Sequence, residues 1–247
     1  MNVLIEKLLA VRDDVQAQNL SRFFNTSPGQ YGEGDCFLGV KVPVTRSIVK
    51  EVWSDCSFSD LEECLSSKWH EVRLAALLVL VQKFKKARIE ADRQEYVDFY
   101  LSHLDAVNNW DLVDLSCYEI LGTWLLDKDA TLLYDLAHNG KTVWEQRIGI
   151  VSTMQFLRHG RIDDTYAIAD ILLHHPHDLI QKAVGWLLRE AGKRDIDRLK
   201  RYLLSPDPST PTVGRARCLV MPRTMLRYSV EKFPETERQY FIHFKDK

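Results

Sequence analysis

Two tryptophans each stand one helical turn from charged side chains. In Asn108-Asn109-Trp110-Asp111-Leu112-Val113-Asp114, Trp110 and Asp114 are four residues apart, a spacing that shares one helix face. In Lys182-Ala183-Val184-Gly185-Trp186-Leu187-Leu188-Arg189, Lys182, Trp186 and Arg189 form an i, i+4, i+7 stripe. Arg147 begins a further helical segment, and Arg158, eleven residues on, lies three turns along the same face. A core face does not want Asp114, Lys182 and Arg189, and a plain solvated face does not want two tryptophans. Aromatic planes, one carboxylate and several cations together suit a ligand groove. The spacing equally allows each tryptophan to pack between helices and each charge to find a local partner. At this point both readings stand.

Other chemistries leave no trace. The chain has no P-loop, G-x-G-x-x-G, H-E-x-x-H, G-x-S-x-G or EF-hand pattern. His174-His175-Pro176-His177 is its one histidine cluster. Its proline lies where a helix should end and no cysteine or carboxylate stands at a regular ligand spacing, so it reads as a solvated interhelical turn. No metal and no cofactor are expected. The five cysteines (Cys36, Cys56, Cys64, Cys117, Cys218) are odd in number and include no C-x-x-C pair, as suits reduced thiols.

The elements that must carry these residues are helices. From His70 to Lys86, Val72, Ala75, Ala76, Val79, Leu80 and Phe84 recur at three- and four-residue steps, and the basic run Lys83-Phe84-Lys85-Lys86 suits a helix C-terminus. Similar stretches cover roughly 2–18, 43–53, 91–103, 109–126, 130–138, 142–158, 163–173, 177–191, 194–203 and 222–232, while alternating strand patterns are nearly absent. The helices echo one another. Aligning Arg73, Val113, Arg147 and Lys182 gives spacings of 40, 34 and 35 residues, the range of HEAT-type helical-pair repeats. Ala75, Gly149 and Gly185, small residues in mid-helix, would let successive helices approach closely. The expected fold is all-α, an α-solenoid of HEAT-like repeats with a concave groove, built as one domain over 1–247. A Pro/Ser/Thr-rich stretch from Ser205 to about Leu219 is expected to be a mobile loop.

Composition bounds the rest. The 247 residues are 45% hydrophobic and 28% charged, with 11 Gly and 8 Pro, which excludes collagen-like, low-complexity and disordered classes. The best apolar run, Leu74 to Val81, falls far short of the roughly 20 residues a membrane helix needs. The first residues lack the basic-then-apolar order of a signal peptide. A soluble intracellular protein is expected, cytoplasmic (at a bacterial nucleoid) or nuclear, with no membrane partner. The net charge of −2 hides an asymmetry: −8 through Gly140 and +6 from Lys141 onward. The second half can therefore present a basic face, the minimum footprint for binding phosphates.

The sequence resembles the AlkD-like DNA alkylation repair glycosylases, a family built from HEAT-like repeats. The resemblance runs from about Tyr31 to Phe241. It rests on Tyr31-Gly32-Glu33-Gly34-Asp35, Phe37-Leu38-Gly39-Val40-Lys41-Val42-Pro43, Asn109-Trp110-Asp111-Leu112-Val113-Asp114, Trp144-Glu145-Gln146-Arg147, Lys182-Ala183-Val184-Gly185-Trp186-Leu187-Leu188-Arg189-Glu190 and Met221-Pro222-Arg223-Thr224-Met225-Leu226-Arg227-Tyr228. Carried over by position, it implies that Asp114 is the catalytic carboxylate and that Trp110 and Trp186 are cleft tryptophans. It implies that Arg147 contacts phosphate, that Arg189 is a second cleft arginine and that Tyr31 is the N-terminal cleft tyrosine, here at a shorter spacing from the Leu-Gly pair. Lys41, Lys182 and Arg158 are further expected DNA contacts. The implied activity is monofunctional hydrolysis of the N-glycosidic bond of cationic N3- or N7-alkylated purines in duplex DNA, by a monomer. The competing expectation is a non-catalytic HEAT-repeat module that binds DNA or protein.

Overall fold

A computed structural model describes residues 2–209 and 214–245. Its residues gather into two compact units, Met1–Ser116 and Cys117–Lys247. Both are helical, and no strand occurs among the described residues beyond the isolated bridges Cys36 to Trp69 and Pro206 to Ala216.

The first unit runs α1 (Val3–Ala10), α2 (Asp14–Phe23), α3 (Val42–Val52), α4 (Phe58–Leu65), α5 (His70–Lys86), α6 (Glu90–Ser102), a 3-10 turn (Leu104–Ala106) and α7 (Trp110–Asp114). The expected helix over 2–18 is two helices. The first ends at Ala10, and Asp13, its side chain accepting the Gln16 amide, caps the start of the second, a cap of about 1 kcal/mol. α4 opens on a reciprocal Ser57–Asp60 capping box. α5 occupies the range its spacing predicts, but it is buried on every side from His70 to Val81. That makes it the core helix of the unit rather than an amphipathic surface helix; α1, α3, α4, α6 and α7 all pack on it.

The second unit holds a π-helical turn (Tyr118–Gly122), α8 (Thr131–Asn139), α9 (Val143–Val151), α10 (Thr153–Arg158), α11 (Asp163–Ile171), α12 (Asp178–Gly192), α13 (Ile196–Leu204), α14 (Arg217–Val220), α15 (Arg223–Ser229) and α16 (Glu235–Ile242). Here α12 is the centre, packing on α9, α10, α11, α13 and α15. Gly149 and Gly185 do what their size suggested. A Cβ on Gly149 would lie 2.7 Å from the Leu133 carbonyl of α8, and one on Gly185 2.5 Å from the Met225 carbonyl of α15. Within each unit, then, the helices pack around one central helix, in an all-α arrangement consistent with a HEAT-like α-solenoid.

Two expectations change. The helix expected over 109–126 stops at Asp114, and a π turn follows. The helix expected over 142–158 is divided at Ser152 into α9 and α10, and Arg147 is buried at 5% exposure while Arg158 is exposed. The stretch 205–219 is tied at both described ends. The Asp207 amide donates to the Arg215 carbonyl at 2.9 Å and the Arg217 amide to the Ser205 carbonyl at 3.0 Å, and Arg217 already begins α14. Residues 210–213, at the middle of that expected loop, lie outside the described residues.

Candidate functional site

The short helix α7 carries Trp110 and Asp114, both half-buried, one turn apart as their spacing requires. Five residues make too little helix to stand alone, so tertiary bonds hold it. Asn109 caps it: its Oδ1 accepts the Trp110 amide at 2.8 Å while its Nδ2 donates to Asp35 Oδ2 at 2.9 Å. Asp111 Oδ1 accepts the Leu112 amide at 2.9 Å, and Asp111 Oδ2 meets His70 Nε2 at 2.9 Å.

His70, first residue of α5 and 1% exposed, is the centre of this network. Its Nδ1 meets Asp35 Oδ2 at 3.1 Å. Burial alone would suppress its charge, but the hydrogen bonds and negative charges of Asp111 and Asp35 overcome that, and the imidazole is pushed up to about 9. Desolvation also works against the Asp35 carboxylate and is outweighed by His70, Arg73 and Asn109, so its pKa falls below the usual carboxylate value. Arg73 pairs with Asp35, donates to the Ser67 carbonyl at 2.9 Å and to Asn108 Oδ1 at 3.1 Å. Next to it, buried Glu71 accepts the amides of Leu38, Gly39 and Val40 at 2.9–3.1 Å. Asp35 and Glu71 thus pin the loop between α2 and α3 to the start of α5.

That loop brings Tyr31 close to the same place. Tyr31 Oη donates to the Phe23 carbonyl at 3.4 Å, and the Phe23 ring stands edge-on to Trp110 at 5.9 Å between centroids. Phe24 stacks on Trp110 at 5.2 Å and on Phe37 at 5.0 Å, with His70 packed against both phenylalanines. Lys41 is exposed at the N-cap of α3. Tyr31, Trp110 and Asp114 are therefore gathered around α7, with Lys41 at the end of the pinned loop.

The remaining candidates lie in the second unit. Lys182, Trp186 and Arg189 all lie on α12 and are partly exposed, the Arg189 side chain at 18%. A cleft of about 280 Å³ is lined by Trp186 and Arg158 with Met154, Leu157, Glu190 and Arg194. The Arg158 guanidinium sits 4.7 Å from the centroid of Tyr118, in the π turn, a cation–π contact that steadies it without consuming its hydrogen-bond donors. Gly122 lets the π turn press against the α9–α10 break, since a Cβ there would meet the Gln155 Cβ at 2.9 Å. Lys182 pairs with Asp178 at 2.6 Å; Arg189 pairs with Glu190 at 3.2 Å and with Glu231. Arg147 turns inward and donates to the Leu179 carbonyl of α12 at 2.5 Å. The histidine cluster is an interhelical turn. His175 Nε2 meets Gln146 Oε1 at 2.9 Å, and His177 Nδ1 accepts the Leu179 amide at 3.2 Å.

Sequence reasoning did not single out His70, Asp35 and Asp111. Asp35 and Asp111 lay inside motifs read for other residues, and His70 and Glu71 sat at the head of an apolar helix. Two or three charges at the buried start of a core helix are a usable signal, because each needs a partner.

The chain matches the family described as DNA alkylation repair enzyme over residues 4–233. Its fold is similar to the solved structure of a "predicted DNA alkylation repair enzyme from Enterococcus faecalis". The two are 14% identical with a TM-score of 0.65, over 91% of this chain and 97% of that one. At that identity the likeness is one of fold. None of the curated proteins matches the chain.

Proposed function

The chain belongs to the family of DNA alkylation repair enzymes, and from that premise we propose that it is a monofunctional glycosylase acting on cationic N3- and N7-alkylated purines in duplex DNA. The observation that carries the proposal is the pairing of Trp110 with Asp114 on α7, a helix fixed from outside through Asn109 and Asp111.

An alkylated purine with a positive charge is already a good leaving group. The electrons of its C1′–N bond go to the base and neutralise it, while positive charge develops on the deoxyribose. Little acid catalysis is needed. A carboxylate beside the sugar stabilises that charge. Water then adds to C1′, with Asp114 orienting it and accepting its proton. Trp110 presents an aromatic plane to the sugar and the lesion, and Trp186 a second plane. Each such contact contributes about 0.5–2 kcal/mol. Arg158, Lys182 and Arg189 hold phosphates, which fixes register without reading sequence. Tyr31 and Lys41 add DNA contacts beside α7, and Arg147 contributes its charge from its buried place on α9. No metal or cofactor enters the step.

Release of modified bases from methylated duplex DNA, wild type against Asp114→Asn at fixed low salt, tests this. Release of N7-methylguanine or N3-methyladenine by the wild type, falling at least about 100-fold in the variant, is expected. Binding of DNA should be kept or improved. Salt-dependent DNA binding with no base release by either protein would overturn the catalytic reading and leave a non-catalytic DNA-binding module.

A further inference from the structure

We propose that His70 is a positioning residue for the reaction, keeping Trp110 and Asp114 of α7 in register only while its imidazole carries two protons; this rests on the glycosylase reading of Asp114.

His70 is 1% exposed, so it acts through its neighbours and not on DNA directly. Its Nδ1 stands 3.1 Å from Asp35 Oδ2 and its Nε2 stands 2.9 Å from Asp111 Oδ2. A neutral imidazole has one N–H, so it satisfies one of these oxygens and turns a lone pair toward the other. Asp35 has no proton to lend. Its Oδ1 is paired with Arg73, and its Oδ2 also accepts from Asn109 Nδ2 at 2.9 Å. Asp111 Oδ1 accepts the Leu112 amide at 2.9 Å. Both contacts are therefore hydrogen bonds when both ring nitrogens are protonated.

Charge points the same way. Asp35 faces the ring from the loop between α2 and α3, and Asp111 faces it from α7; Arg73 lies beside them on α5. Phe24 and Phe37, packed on the ring, are uncharged. Glu71, next along α5, spends its two oxygens on the amides of Leu38, Gly39 and Val40. With an imidazolium, the charges of Asp35, Asp111, Arg73 and His70 sum to zero. A neutral ring would leave a net negative charge out of water.

Both bonds lead to α7. Asp111 belongs to that helix, and Asp35 Oδ2 is shared between His70 and Asn109, the cap of α7. Whichever nitrogen gives up its proton, one of these holds is lost. Phe24, packed on both His70 and Trp110, adds a second route from the imidazole to the indole. Five residues of helix offer little resistance of their own. A shift of about 1 Å at a reacting group costs about 100-fold in rate. The charged ring persists to about pH 9, so activity is held across neutral pH and declines in alkali.

Single-turnover release of N3-methyladenine from methylated duplex DNA, followed from about pH 6 to about pH 10, tests this on the full chain. Wild type, His70→Gln and His70→Leu are compared, with the enzyme-free rate subtracted and rates expressed per folded molecule. Gln offers N–H donors to a carboxylate but no charge that titrates. The wild type should lose rate above about pH 9 while circular dichroism and DNA affinity hold. His70→Gln should be about 10-fold slower and His70→Leu about 100-fold slower, with no alkaline fall in either. KM for the duplex should stay within about twofold. A merely structural histidine would move the melting temperature and leave the rate per folded molecule alone. Wild-type rates in both variants, or an alkaline fall that survives in Gln, would overturn the proposal. Should neither variant fold, a wild-type rate that falls near pH 9 supports it and one that stays level to about pH 10 overturns it. If the wild type releases no base at any pH, the glycosylase reading fails, and the carbon resonances of the His70 and Trp110 rings decide the positioning role. A shared midpoint near pH 9 supports it, and a Trp110 ring that ignores the His70 titration overturns it.

Discussion

Helices α5 and α12 each gather the other helices of their unit, yet they handle charge in opposite ways. α5 opens with His70, Glu71 and Arg73, between 1% and 5% exposed, and every one is tied to a partner in the chain. α12 carries Lys182 in a shallow ion pair, its side chain 41% exposed and that of its partner Asp178 56%. Charge taken out of water must be matched by partners of fixed geometry, so it sets the position of whatever it touches. Charge left in water holds its partner loosely and can exchange it for another anion. The first arrangement fixes the position of α7, and the second leaves a cation on the surface of α12 able to change partners.

The largest effect should come from breaking the buried set. His70→Leu leaves Asp35 and Asp111 facing an apolar side chain, and a loss of about 3–5 kcal/mol is expected on denaturant unfolding. Lys182→Ala should cost less than about 1 kcal/mol. Comparable losses from the two would erase the contrast.

An intermediate effect should follow pH. The His70 pKa is raised in the folded chain, from an ordinary 6.5 to about 9. Its contribution is therefore complete below the unfolded value and disappears as pH climbs through about 9. Asp35 is shifted down, so its contribution is present above the ordinary carboxylate range and is lost in acid. Stability from this network should peak in weak acid and fall between about pH 6.5 and 9, by up to about 3 kcal/mol or roughly 5–10 °C. Melting curves across that range, repeated on His70→Leu, check it: the slope should vanish in the variant.

The smallest effect on stability, and a selective one on binding, belongs to Arg158. Arg158→Ala should move unfolding by no more than about 0.5 kcal/mol. It should weaken DNA binding regardless of sequence and reduce the salt slope by about one unit. An unchanged slope would remove Arg158 from the phosphate contacts.

Much of this was open to reading from residues in order. The 70–86 helix, the Trp110–Asp114 turn and the α12 stripe follow from periodicity, because a helix imposes its own spacing on whatever it carries. Gly149 and Gly185 could be read as close-approach positions for the same reason. Harder to see were the stops inside helical stretches, at Ser152 and after Asp114, where the local pattern stays helical. Arg147 and Arg158 show what counting cannot reach: it places them on one face, but tertiary packing buries one against Leu179 and leaves the other exposed over Tyr118.

The all-helical class and the pairing of aromatic with charged residues on α7 and α12 follow from the order of residues alone. These are local properties, set by side chains three to seven residues apart. Tertiary structure alone decided which charges are buried. Arg73, Arg147 and Lys182 occupy matching places in the repeats, yet the first two turn inward onto the carbonyls of Ser67 and Leu179 and the third stays half-exposed beside Asp178. It also decided that Asp35, His70 and Asp111, each more than 30 residues from the next along the chain, meet at hydrogen-bonding distance to hold α7. Burial depends on which surfaces the chain brings together from a distance, and hydrogen-bond partners follow burial.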